Sequence, residues 1–292
     1  PKAAEGKQVF IDFDGVYMNS KVWVNGQLLG FRPFGYVGFR YDLTPHLNVG
    51  GKNVIAVQVN VKKGCSRWYP GAGIYRRVWL TTSNPVHVAH WGHFVTTPEV
   101  SKEKASVRLQ TEVENNTGKT AAVTLNSVIL NPQGKPVATA SSTAEIAAGA
   151  MYEFDQNFTV THPMLWSPDA PDLYKVVTTV ETAGNVLDNV TTTLGIRWFE
   201  FTKDDGLIFN GEKVDVKGVC LHQDFGPLGV AFNPRAMERR LEIMREMGCN
   251  AIRTSHNPHD PEFYALCDRM GFLVMDEVFD EWKIPKLSAN QA

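Results

Sequence analysis

The 292-residue sequence contains no apolar run near the ~20 residues that a membrane-crossing helix needs. It has no C-x-x-C pair, no H-E-x-x-H and no His-x-His, the close spacings from which compact metal sites are built. Charge of one sign is also missing: the net charge is −2 with 21% charged residues, and no basic face or charge block marks a nucleic-acid surface or a disordered tail. The opening residues, "PKAAEGKQVFIDFDG", lack the apolar stretch of a secretory signal. Cysteine is sparse. Cys65, Cys220, Cys249 and Cys267 are widely spaced, and the last three sit among apolar residues, where free thiols act as small core hydrophobes. Membrane, nucleic-acid and disulfide-scaffold classes are therefore set aside.

What is present is a chain long enough for two or three domains, in two different patterns. Residues 1–84 read as β-structure: "VFIDFDGV" and "VIAVQV" are strand-like, and "KVWVNGQLLG" is two strands joined by Asn25-Gly26, a pair that accepts the positive φ of a type I′ turn. Residues 85–196 alternate apolar and polar side chains, with turn signals at Asn115–Gly118, Pro132–Gly134 and Gly149, as in a small antiparallel sandwich. After residue 196 a hairpin with Asn210-Gly211 at its turn leads into an expected strand, Val214–Leu221. Asn233-Pro234 and Asp260-Pro261 are N-cap and N1 pairs that open helices, and Gly248 and Gly271 are their stops. Between and after the helices lie strands at Ala251–Thr254 and Phe272–Met275. This is β-α-β-α-β, the pattern of a parallel sheet with helical crossovers.

In such a sheet the loops after the C-terminal strand ends converge on one face, where ligands bind. Three successive strands here end in polar groups: His222, Gln223 and Asp224; Arg253, Ser255 and His256; Asp276 and Glu277. For Arg253 and Glu277 the competing reading is a buried ion pair that only ties strand ends together. The polar cleft itself admits two chemistries. Two histidines with Asp276 could hold a divalent metal in a hydrolase; alternatively, the same groups could grip sugar hydroxyls while carboxylates elsewhere do the chemistry. Trp68, Tyr69 and Trp282 favour sugar, because aromatic faces stack on pyranose rings.

The stretches "SRWYPGAGIYR", "GVCLHQDFGPLG" and "NAIRTSHNPHDPEFYALCDRMGFLVMDEVFDEW" resemble the family 2 glycoside hydrolases, the group of bacterial β-galactosidases and β-glucuronidases. The resemblance implies a jelly-roll sugar-binding domain (1–84), an immunoglobulin-like β-sandwich (85–196) and the first three βα units of a (β/α)8 TIM barrel (197–292). It implies that His222 and His256 contact the sugar, that Arg253 and Glu277 frame the site from beneath, and that Arg67 and Trp68 lie in a loop reaching the barrel mouth. Asp224 belongs to the same strand-end motif. Several family members bind Mg2+ through a Glu-x-His pair; here Glu281 stands near the Glu position and no His follows, so no metal or other cofactor is assigned.

The family is retaining, with an acid/base Glu in an Asn-Glu pair at the fourth barrel strand and a nucleophilic Glu beyond it. Both positions are expected beyond Ala292, so no catalytic residue is assigned within the chain, and the 292 residues are read as an inactive internal segment of a longer enzyme. The partner expected is a terminal β-galactoside or a related glycan, with β-glucuronidase, β-mannosidase or a non-catalytic carbohydrate-binding protein as alternatives, and with homo-oligomers common in the family. The compartment follows from whatever leader the longer precursor has: periplasmic or extracellular with one, cytoplasmic without.

Overall fold

The structure is a computed structural model that describes residues 4–61 and 72–278. Its backbone forms two compact units, Pro1–Thr82 together with Val216–Ala292, and Ser83–Asp215.

In the first unit, the jelly-roll part builds two three-stranded sheets. One has the order Phe39–Asp42, Gln8–Phe13, Val78–Ser83, and the other Gln27–Arg32, Ser20–Val24, Ile55–Gln58. Strand alternation sends Val9, Ile11, Phe13, Val22, Val24 and Phe39 into a common core. Each such fully buried side chain stabilises the fold by roughly 1.5–3 kcal/mol. The expected hairpin is present: Asn25 (φ 48°) and Gly26 (φ 86°) form its turn. The Asn25 side chain does more than tolerate positive φ. It accepts from the Val54 amide at 2.9 Å and donates to the His46 carbonyl at 2.8 Å, tying the turn to two other segments.

The barrel part of the same unit is a parallel sheet in the order Gly218–Leu221, Ala251–Thr254, Leu273–Met275. Helix Pro234–Glu246 starts where Asn233 accepts from the Ala236 amide at 3.0 Å, and helix Pro261–Met270 starts where Asp260 accepts from the Glu262 amide at 3.0 Å. Met237, Leu241, Phe263, Leu266 and Cys267 press onto Leu221, Ile252 and Phe272. The opposite face of the sheet carries the register partners Cys220, Arg253 and Met275. Two expectations need correction. The first strand begins at Gly218, not Val214, because the Val214 amide bonds back to Leu207 and the Lys217 amide is taken by the Asn250 side chain. Cys220 is exposed, since it lies on the face away from the helices; Cys267 is buried and Cys249 half-buried.

The second unit is an antiparallel sandwich. Three strands (Ala150–Thr161, Lys104–Asn115, Val86–Val100) face four (Pro136–Ile146, Ala121–Leu130, Tyr174–Thr182, Asn185–Leu194), and the hairpin Phe199–Phe209 belongs to the same unit. Every second residue from Ala105 to Asn115 is buried. The apolar interior falls into two clusters, one around Leu109, Ile129 and Val176 and one around Val113, Leu125 and Val180. A polar belt also crosses the sandwich. The His93 ring lies 2.7 Å from Thr192 Oγ1 and 2.8 Å from Thr178 Oγ1, and Ser127 Oγ reaches Thr178 at 2.9 Å.

Burial holds the His93 imidazole below its ordinary pKa. Stability linked to it is complete above the unfolded value of about 6.5 and is lost as pH falls below it, because the unfolded chain then binds a proton that the fold resists. Amide exchange at Leu125 and Val176, corrected for intrinsic rates, should therefore accelerate between pH 7 and 5. In His93→Gln, which keeps hydrogen-bonding capacity without the titration, that acceleration should be smaller.

Candidate functional site

The three parallel strands bring four of the sequence-predicted side chains to one place. His222 follows the first strand directly, and His256 and Glu277 each lie two residues beyond theirs. The ring centroids of His222 and His256 are 6.0 Å apart. Glu277 is shared between two partners. Its Oε1 accepts from Arg253 Nε at 2.6 Å, and its Oε2 lies 2.9 Å from His256 Nδ1. The Glu277 amide donates to Thr254 Oγ1 at 2.8 Å, which fixes the backbone beneath the carboxylate.

These contacts assign protons. A carbonyl and a carboxylate only accept, so His222 Nδ1, 2.8 Å from the Ser255 carbonyl, carries a hydrogen, and so does His256 Nδ1. The 3.4 Å approach of Arg253 Nη2 to His256 Nδ1 then joins two donors and is not a hydrogen bond. The peptide between Ser255 and His256 is cis.

The ion-pair reading of Arg253 and Glu277 is correct as geometry, but the pair is not sealed. Their side chains are 40% and 21% exposed. Burial pushes the Glu277 carboxyl up, and the hydrogen bonds from Arg253 and His256 outweigh that and hold it below its ordinary pKa.

Other strand-end residues are engaged elsewhere. Asp276 accepts from Thr254 Oγ1 at 2.8 Å and from the Tyr264 hydroxyl at 2.6 Å, which anchors it to the second helix. Asp224 meets Arg240 of the first helix: the guanidinium donates to its carbonyl and lies 3.8 Å from its carboxylate. Arg67, Trp68, Tyr69, Cys65, Glu281 and Trp282 lie outside the described residues. Among the described residues, no three His, Cys, Asp or Glu side chains are grouped as a metal site would require.

Sequence reasoning missed Arg76, although it closes the quoted "GIYR". It is buried, at 8% exposure, and bonds to Gln223 and to the Pro258 carbonyl, beside the two histidines. Its signal was weak. An Arg-Arg pair after Gly73–Ile74 reads locally as a solvated strand end. His259 and Asp260 are likewise more buried than their chemistry suggests; burial first, then the charge of Arg76, pushes the His259 pKa down to about 3.

Glu277→Gln should test the shared carboxylate. Charge-assisted hydrogen bonds to a partly exposed group are worth on the order of 1–2 kcal/mol, and that deficit is expected in urea unfolding at pH 7. The stabilisation from a carboxyl with a lowered folded pKa is complete above its unfolded value of about 4.3 and is lost as pH falls through the folded value. The difference between wild type and variant should therefore shrink toward zero in melts at about pH 3.

Comparison with known proteins completes the picture. Residues 1–84 match the glycosyl hydrolases family 2 sugar binding domain, residues 86–197 the glycosyl hydrolases family 2 model, and residues 201–282 the TIM barrel domain of that family. β-Galactosidase BoGH2A of Bacteroides ovatus is 48% identical over 292 residues, covering 100% of this chain and 34% of that protein. A β-glucuronidase of Formosa agariphila is 31% identical over 298 residues, covering 94% of this chain and 30% of that protein. Among solved structures, a glycosyl hydrolase family 2 member from Bacteroides cellulosilyticus superposes with a TM-score of 0.93 at 37% identity, over 99% of this chain and 40% of that one. Bacteroides uniformis β-glucuronidase 2, covalently bound to cyclophellitol-6-carboxylate aziridine, gives 0.89 at 32% identity, over 95% of this chain and 35% of that one. The chain thus spans about a third of the length of the curated relatives it matches. With three successive domain models of one family along its length, the chain belongs to glycosyl hydrolases family 2.

Proposed function

We propose that these residues form the sugar-gripping part of a retaining exo-β-glycosidase acting on terminal β-linked galactosides. The observation that carries this reading is the pair of imidazoles 6.0 Å apart at parallel strand tips, with each Nδ1–H committed to a protein acceptor. Rings oriented in this way by their Nδ1–H bonds suit hydrogen bonding to the hydroxyls of a pyranose. The Arg253–Glu277 pair sets the His256 ring from below and adds charged hydrogen-bonding groups at the edge of the site.

Galactose is preferred over glucuronate because a relative 48% identical over the whole chain is named a β-galactosidase, against 42% for one named "Putative beta-glucuronidase" and 31% for one named a β-glucuronidase. A β-glucuronide is the second reading, supported by the fold match to Bacteroides uniformis β-glucuronidase 2.

Retaining hydrolysis needs a carboxylic acid and a nucleophilic carboxylate ~5 Å apart on either side of the scissile bond. The carboxylates at these strand tips are otherwise employed: Glu277 by Arg253 and His256, Asp276 by Thr254 and Tyr264. The 292-residue chain is thus proposed to bind sugar without turning it over, as one segment of a larger enzyme that supplies the two glutamates.

Titration of the chain with galactose and with glucuronate, followed by NMR shifts at Ile252 and Thr254, should give saturable binding that favours galactose. His256→Ala should weaken that binding at least tenfold, and p-nitrophenyl β-galactoside should not be hydrolysed above background. Tighter glucuronate binding would transfer the assignment to the second reading, and saturable binding unaffected by His256→Ala would refute the site.

A further inference from the structure

We propose that Arg76 is a positioning residue that sets the spacing of the two imidazoles by fastening both of their loops to the jelly-roll backbone. Nη1 donates to the carbonyls of Asp14 at 3.2 Å and Tyr36 at 3.1 Å, both in the jelly-roll part. Nη2 donates to Gln223 Oε1 at 2.7 Å and to the Pro258 carbonyl at 2.6 Å. Gln223 is the neighbour of His222, and Pro258 lies two residues beyond His256. Gln223 Nε2 also donates to the Pro258 carbonyl at 3.0 Å, so guanidinium, amide and carbonyl close a triangle across the two loops. The His222 bond to the Ser255 carbonyl depends on that same relative placement.

The charge environment makes this more than packing. None of these four acceptors is a carboxylate, and the guanidinium lies over the Tyr75 ring at 5.0 Å instead. A buried cation whose hydrogen bonds, among the described residues, all go to neutral acceptors is costly to desolvate, and it persists where geometry over-determines it. The surrounding cavity has room for about one water, at about 10 Å³; Arg76, Gln223, His259 and Asp260 form its polar lining, and Phe225, Phe232 and other apolar side chains the rest. His259 Nε2 and Asp260 Oδ2 are both buried there without a hydrogen-bond partner. Burial raises the Asp260 pKa against the pull of Arg76 and Arg77, and its Oδ1 lies 3.9 Å from Arg77 Nη1, so this carboxyl is shared with a second guanidinium. A lysine could reach the spot, but its point charge cannot fork to two loops and two jelly-roll carbonyls together.

The structural half of the proposal stands on these contacts alone; its consequence for sugar binding rests on the function proposed above. The experiment compares Arg76→Lys and Arg76→Met with wild type in the 292-residue chain, using Arg40→Ala as control. Arg40 pairs with Asp12 inside the jelly-roll part and touches neither loop by that contact. Nitrogen-15 imidazole spectra should show His222 fixed as the Nδ1–H tautomer in wild type and control, and averaged in both Arg76 variants. Affinity for galactonolactone should fall at least tenfold in Arg76→Lys and stay within twofold in Arg40→Ala.

An unchanged tautomer in a folded Arg76→Met protein would overturn the proposal. If wild type bound no sugar while the tautomer still shifted, the positioning role would stand and the sugar reading would fall. Should both Arg76 variants fail to fold, Gln223→Ala, which removes one side of the triangle, must average the His222 signals; fixed signals there would equally overturn it.

Discussion

One carboxylate organises the candidate site: Glu277 is divided between a guanidinium and an imidazole, one oxygen to each. The arrangement fixes three side chains with a single group. Arg253 is neutralised at the open face of the sheet, His256 is held in one tautomer, and the carboxylate is kept ionised by its donors. It also explains why the two consecutive acidic residues after the third strand behave so differently. Asp276 turns toward the helix layer, where Thr254 and Tyr264 satisfy it, and Glu277 turns toward the strand tips. The two neighbours thus serve two layers at once.

The parallel register extends this logic to the neighbouring strand. Cys220 pairs with Arg253 and Arg253 with Met275, so the face away from the helices is one row of register partners. Arg253 Nη1 donates to Cys220 Sγ at 3.5 Å along that row. The nearby Ser255 hydroxyl and the Arg253 guanidinium hold the Cys220 thiol below its ordinary pKa. An apolar sequence neighbourhood therefore said little about this cysteine: Val219 and Leu221 are its neighbours in the chain, while its surroundings in space are polar.

What could be read from the sequence follows from the range of the interactions involved. Asn233-Pro234 and Asp260-Pro261 start helices through contacts two or three residues away, so local pattern was sufficient to locate both. The strand-end rule placed His222, His256, Arg253 and Glu277 correctly in one region, because it needs only strand order and direction. It could not say which way a side chain turns after the strand. Asp224 shares its position type with His222, yet it meets Arg240 of the first helix. Arg76 was out of reach altogether. Its partners are 147 and 182 residues away, and no periodicity links a jelly-roll strand end to two barrel loops. The sandwich shows the same limit, since alternation revealed its inward face but not the belt that joins His93 to Thr178 and Thr192.

The two arginines near the strand tips differ in a way that separates frame from grip. Arg253 owes its place to a carboxylate, so its attachment weakens as Glu277 takes up a proton in acid. Arg76 is held by backbone carbonyls and an amide oxygen, none of which titrates. The neighbouring His259 stays neutral until about pH 3, first because burial disfavours its charged form and then because the Arg76 guanidinium lies beside it. Protonation of Glu277 removes an acceptor from the Arg253–Glu277–His256 contacts and none from the hydrogen bonds that Arg76 makes to the loops carrying the histidines. Charge therefore belongs to the grip around Glu277, and the frame around Arg76 rests on acceptors that do not titrate.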